Sequence, residues 1–133
     1  MLLLTLPAAV PTGQLDVEFT QLRSAKGVLQ ICLTSDPADF PDCKKGVGAV
    51  RRTISAAAPH IRFENLPPGH YAIAVIHDAN GNAKLDTTLG IPREGFGFSR
   101  NPAIGFGPPR FASASFQTNG GAETQQVRIR YLL

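Results

Sequence analysis

At 133 residues the chain is long enough for one two-layer domain with a core of its own. Its apolar content of 43% is ordinary and its charged content of 17% is low, while thirteen glycines and eleven prolines favour many short strands over helices. The net charge of +3 is scattered, and the Lys44-Lys45 and Arg51-Arg52 pairs lack the basic and aromatic stripe that phosphate recognition needs, so no nucleic-acid partner is expected.

The chain opens on MLLLTLPAAVPTGQ, an apolar run followed by small residues, as at the end of a secretory signal. A positively charged leading region is missing, as a late start would leave it. Residues 1–13 are therefore read as a signal remnant or flexible tail, and 14–133 as a single β-sandwich domain, periplasmic or secreted. A frayed tail or an edge strand is the plainer alternative. No other stretch is long enough to cross a membrane.

Leu15, Val17 and Phe19 alternate with Asp16, Glu18 and Thr20, which predicts a half-buried strand ending near Leu22. Leu29, Ile31 and Leu33 predict a second, with Cys32 on its opposite face. Cys32 and Cys43, the only cysteines, bracket the turn-rich LTSDPADFPD, with one helical turn expected at Pro37 to Phe40. In an exported chain such a pair reads as a disulfide closing a loop, with two buried free thiols as the alternative. Two thiolates without a second ligand pair make only half a zinc site.

A third, weaker strand is expected at Val47 to Ile54, and a fourth where Ile61 and Phe63 alternate with Arg62 and Glu64. The fifth, 70–77, follows the turn Pro67-Pro68-Gly69. It is apolar on both faces: Tyr71, Ile73, Val75 and His77 lie on one, and Ala72, Ala74 and Ile76 on the other. Such a strand belongs at the centre of a sheet covered on one side and nearly so on the other.

From Asp78 to about Arg110 no regular structure is predicted, and loops of that length are usually functional or disordered. Phe96, Phe98, Phe106 and Phe111, set among glycines and prolines, argue for order, because the segment can bury its own apolar surface. The rings either pin the loop over one end of the sheets or form a platform for a ligand. A sixth strand is expected at Ala112 to Phe116. After Asn119-Gly120-Gly121 comes a last strand with Val127, Ile129 and Tyr131 facing inward. The expected class is all-β, a seven-stranded antiparallel β-sandwich, immunoglobulin-like or prealbumin-like, with a long ordered loop after the fifth strand.

The start of that loop carries short oxygen-bearing side chains at alternate positions, Asp78, Asn80, Asn82 and Asp86. A calcium ion takes six to eight oxygens, and with Asp78 as position 1 these residues fall at 3, 5 and 9, with Lys84 offering its carbonyl at 7. Leu89 stands where a helix-loop-helix site has its closing Glu, so Glu94 is the nearest acidic residue that could close the shell. The plainer reading is a turn in which Asp and Asn bond their own backbone. Calcium is the one cofactor expected, if any. For catalysis, His77 and Asp78 with Glu94 could form an acid-base group. No nucleophile elbow, phosphate-cradling glycine loop or HExxH accompanies them, and His60 and His70 show no motif that would join them. No catalytic residue is assigned.

The segments LPPGHYAIAVIHDANGNAKLD, LGIPREGFGFSRNP and IGFGPPRF occur together and in order. In these the chain resembles the family of small exported bacterial proteins known as domain of unknown function 2141, over nearly its whole length. Ala83 stands where that family commonly has glycine, and Thr87-Thr88-Leu89 is a residue short. The resemblance implies an exported β-sandwich and supplies no activity. The LPPGxY turn and strand are also similar to those of prealbumin-like adhesin and carboxypeptidase-regulatory modules. The expected function is thus a monomeric, non-catalytic binding or accessory module with an unknown ligand or cell-envelope partner; the competing reading is a small hydrolase using His77 and Asp78.

Overall fold

The computed structural model describes residues 11–44, 48–81, 94–105 and 107–132, together with the backbone of 87–88 and 91–92. The strands, in chain order, are β1 (Gly13–Thr20), β2 (Val28–Thr34), β3 (Ala49–Ser55), β4 (His60–Leu66), β5 (Gly69–Asp78), the two-residue pair β6 (Thr87–Thr88) and β7 (Ile91–Pro92), β8 (Gly95–Phe98), β9 (Phe116–Thr118) and β10 (Ala122–Arg128). Among the described residues helix is confined to a 3-10 turn at Pro37–Asp39 and the single turn α1 (Phe111–Ala114). Among the described residues no helix is long and apolar enough to cross a membrane.

The protein is all-β and built on two main sheets. One has the order β10-β1-β4, the other β3-β2-β5-β8 with β9 also paired to β5. The alternation read in the sequence decides which residues go inside. Leu15, Val17 and Phe19 of β1, Leu29, Ile31 and Leu33 of β2, and Tyr71, Ile73 and Val75 of β5 are all buried in one cluster. Phe63, Phe116, Val127 and Ile129 join them there. Both sheets thus share a single apolar core, each strand giving every second side chain to it. Burial also lifts the Tyr71 phenol above its ordinary pKa, and its hydroxyl donates to the Pro67 carbonyl at 2.6 Å.

Strand β5 is flanked by β2 over Thr34↔Ala72 to Val28↔Asp78 and by β8 over Ala74↔Phe98 to His77↔Gly95. It is the buried centre that its two apolar faces predict. On the outer face Ala72 and Ala74 meet Cys32, Cys43, Phe96, Phe98 and Ala114 in a second cluster, against which Phe40, Ile104 and Phe111 pack.

Three expectations need correcting. The set of seven antiparallel strands gives way, among the described residues, to a larger one that includes a parallel pair, β1 with β10 in the register Gln14↔Ala122 to Thr20↔Arg128. The turn at Asn119-Gly120-Gly121 does not close a hairpin. It carries the chain from β9, paired to β5, across to the other sheet, so β10 enters alongside β1 rather than against it. The expected sixth strand at Ala112 to Phe116 is the helical turn α1 followed by β9. Ala and Ser alternating give little apolar contrast, and alanine is the best helix former. Lastly, the stretch after Asp78 contains β8, whose Gly-Phe-Gly-Phe pattern carries little strand propensity.

The glycines of β8 answer to packing. A Cβ on Gly97 would lie 2.7 Å from the Arg128 carbonyl oxygen, and one on Gly95 would lie 2.5 Å from the Tyr131 ring. The C-terminal segment crosses β8 at that distance, with Phe96 N–H donating to Arg130 at 3.0 Å and Arg130 N–H to Phe96 at 2.8 Å. Glycine permits this approach while Phe96 and Phe98 face the outer cluster. The following turn is tied down as well. The Asn101 side chain accepts from Arg128 N–H at 2.8 Å and donates to the Gln126 carbonyl at 3.1 Å, while Ser99 Oγ accepts from Ile73 N–H at 2.9 Å.

Candidate functional site

Asp78 is the last residue of β5 and is 1% exposed. The chain turns directly after it, Gly81 N–H donating to the Asp78 carbonyl at 3.3 Å, with Gly81 at φ +69 and Asn80 exposed. Gly27, at φ +72 before β2, lies so close that a Cβ there would stand 2.2 Å from the Asp78 carbonyl oxygen. The loop therefore springs from a turn held against its neighbour. Asn82, Lys84 and Asp86, with Ala83 and Leu89, lie outside the described residues, so of the predicted ion ligands only Asp78 and Asn80 are placed. Phe106 lies outside them too.

His77, one residue earlier, points the other way and is 1% exposed. Its Nε2 is 2.8 Å from the Lys26 carbonyl, which can only accept, so that nitrogen carries the proton. Nδ1 lies 2.7 Å from the Tyr131 hydroxyl, its hydrogen-bond partner on the other side of the ring. The same hydroxyl accepts from Arg23 N–H at 3.1 Å, and the Arg23 guanidinium lies 4.3 Å above the Tyr131 ring. Both nitrogens of His77 are thus committed to holding the end of β5, the turn before β2 and the C-terminal segment together. Glu94, also buried, immediately precedes Gly95, the residue paired with His77. His60 is exposed at the start of β4 and His70 at the start of β5, so the three histidines are not assembled by the fold.

The open concavity of the described surface lies elsewhere, on the outer side of β5. Cys32 of β2 and Cys43 lie at disulfide distance, their Cα atoms 5.7 Å apart, as the paired reading expects. The enclosed loop is further fixed at the 3-10 turn: the Asp36 carboxylate accepts from Ala38 N–H at 2.9 Å, and Cys43 N–H donates to the Asp39 carbonyl at 2.7 Å. This sets the Phe40 ring edge-on to Phe98 at 5.9 Å and to Phe111 at 6.0 Å between centroids. Between this loop and the start of α1 is a concavity of about 410 Å³. Its walls are Pro37, Pro41, Pro108 and Pro109, with the two rings of Phe40 and Phe111, and Arg110 and Ala112 complete it.

These parts come from two loops that are separate in the sequence. Phe96 and Phe98 are buried as core, in keeping with rings that pin their loop over the sheets, whereas the ring that reaches the open surface beside Phe111 is Phe40. The signal that could have joined them is the proline near each phenylalanine, in Phe40-Pro41 and in Pro109-Arg110-Phe111.

The family model described as "Uncharacterized protein conserved in bacteria (DUF2141)" matches residues 17–126. No curated protein and no solved structure matches the chain.

Proposed function

The chain belongs to the bacterial family DUF2141, and from that premise we propose an exported, non-catalytic binding or accessory module of the periplasm or the extracellular space. The observation that carries this reading is the contrast between the two sides of β5. His77, on which the acid-base reading rests, is buried with both ring nitrogens hydrogen-bonded, whereas the open concavity is walled by proline and phenylalanine. An enzyme of the His77 and Asp78 type needs a basic nitrogen facing a space that a substrate can enter.

Export is supported by the disulfide, which persists in oxidising compartments, and by the apolar start of the chain. The fold type that fits is a β-sandwich of immunoglobulin-like or prealbumin-like kind, enlarged by β8 and its flanking turns, forming one domain and acting as a monomer. Calcium held by Asp78, Asn80, Asn82, the Lys84 carbonyl and Asp86 would brace the loop that leaves β5; it would serve stability rather than chemistry.

The test pairs a ligand screen by amide NMR shifts with a panel of chromogenic esters, glycosides and peptides. Shifts confined to the Pro37–Pro41 and Pro108–Ala112 segments, with no turnover, are expected. Turnover that disappears in His77→Gln while the fold persists would falsify the module reading.

A further inference from the structure

The geometry points to a ligand class for this concavity: a small, free aromatic or aliphatic monocarboxylate, its apolar body between the prolines and rings and its carboxylate on Arg110. The inference rests on the module reading and narrows it. The concavity, about 410 Å³, opens broadly to solvent, so a small ligand would rest on it rather than be enclosed. What the lining lacks is as telling as its size. Proline has no backbone N–H and phenylalanine no polar side-chain atom, so exposed Arg110 is the one residue with a charged side chain among the described lining residues.

A sugar or a polar peptide would bury hydroxyls and amides against walls whose described side chains, Arg110 apart, offer no hydrogen-bond partner, at a cost for each left unpaired. A cation would find no carboxylate among the described lining residues. The acidic groups of the Cys-bounded loop are engaged elsewhere: Asp36 bonds Ala38 N–H, Asp42 pairs with Lys44 at 3.7 Å, and Asp39 is buried. Among the described residues Arg110 has no ion pair. A planar guanidinium matches a carboxylate through two parallel hydrogen bonds, and a single positive charge balances one negative charge rather than a phosphate's two. The walls are set before any ligand arrives, since the disulfide and four prolines fix them, so little ordering cost falls on binding.

The experiment titrates the full chain with 2-naphthoate and with its neutral isostere 2-naphthamide, followed by amide NMR. Arg110→Gln, the space-filling Ala112→Trp and, as a distant control, Arg52→Gln are titrated alongside. Saturable naphthoate binding at the Pro37–Pro41 and Pro108–Ala112 segments is expected, abolished by Ala112→Trp. It should be weakened about two- to fivefold by Arg110→Gln, the worth of an exposed charge-assisted contact, and unchanged by Arg52→Gln. Equal affinity for acid and amide, or indifference to Arg110→Gln, overturns the inference. So does tighter binding of N-acetyl-Gly-Phe, which would assign the site to the carboxyl terminus of a peptide. If chitobiose or a neutral peptide shifts the same residues while naphthoate does not, the ligand class is wrong and the module reading survives. If no probe shifts them and a His77-dependent ester hydrolysis appears, both fall.

Discussion

The C-terminal segment crosses close over β8, and a single methyl group tests that approach. In Gly97→Ala the new Cβ would stand 2.7 Å from the Arg128 carbonyl oxygen and 2.9 Å from Val127 Cγ1. The nearer wall is backbone, and Val127 is itself 0% exposed, so neither side can swing away. Relieving the contact means moving two backbones apart by several tenths of an ångström. Overpacking of this kind costs about 1–3 kcal/mol. The same movement stretches the paired hydrogen bonds between Phe96 and Arg130, each worth about 0.5–1.5 kcal/mol. Because the terms overlap, we expect a loss of about 2–4 kcal/mol, a fall in Tm of roughly 8–15 °C for a chain of this size. Gly105→Ala is the control, since nothing lies within 4 Å of its Cβ position; it should stay within about 0.5 kcal/mol of the parent. Urea unfolding followed by far-UV circular dichroism reads both. A Gly97→Ala protein as stable as the Gly105→Ala control would mean that the C-terminal segment does not cross there.

Replacing Cys32 and Cys43 by alanine together should cost about 3 kcal/mol, the loop-closure entropy for a ring of about a dozen residues; an unchanged urea midpoint in non-reducing buffer would show that the bond is absent. Tyr71 titrates above its ordinary pKa in the folded protein because of burial, so its contribution is fully present below about pH 10 and is lost as pH rises through the higher folded value. Tyr71→Phe should therefore flatten part of the alkaline fall in stability, and parallel pH profiles for the two proteins would refute this. For the loop after β5, millimolar calcium should raise Tm relative to chelator by an amount matching about 1.4 kcal/mol at ten times the dissociation constant, and Asp86→Asn should remove the response. If neither protein responds to calcium, the oxygen-bearing side chains serve only the turn.

What the sequence made legible is what side-chain alternation controls. Leu15-Val17-Phe19, Leu29-Ile31-Leu33 and Tyr71-Ile73-Val75 each place three large side chains on one face, and a two-layer core follows from satisfying all of them at once. The parallel arrival of β10 was not legible, because Asn119-Gly120-Gly121 specifies a turn but not whether the chain returns to the same sheet. Strand β8 was hidden for a different reason: its glycines are there for the segment that crosses them, a contact with residues far along the chain. The concavity was hidden more deeply still, and its cause lies in β5. On the inner face that strand carries Tyr71, Ile73 and Val75, but on the outer face it carries Ala72 and Ala74, 0% and 7% exposed. Small residues at the sheet centre leave room above it, and Phe40, Phe96, Phe98 and Phe111 fill that room from three separate segments. Two of these rings, Phe96 and Phe98, are consumed by the core. Phe40 and Phe111 overhang it with prolines on both rims, and the hollow between the two rims is apolar surface that, among the described residues, no side chain covers. The small side chains of Ala72 and Ala74, on the second apolar face of the strand, thus set the depth of the hollow.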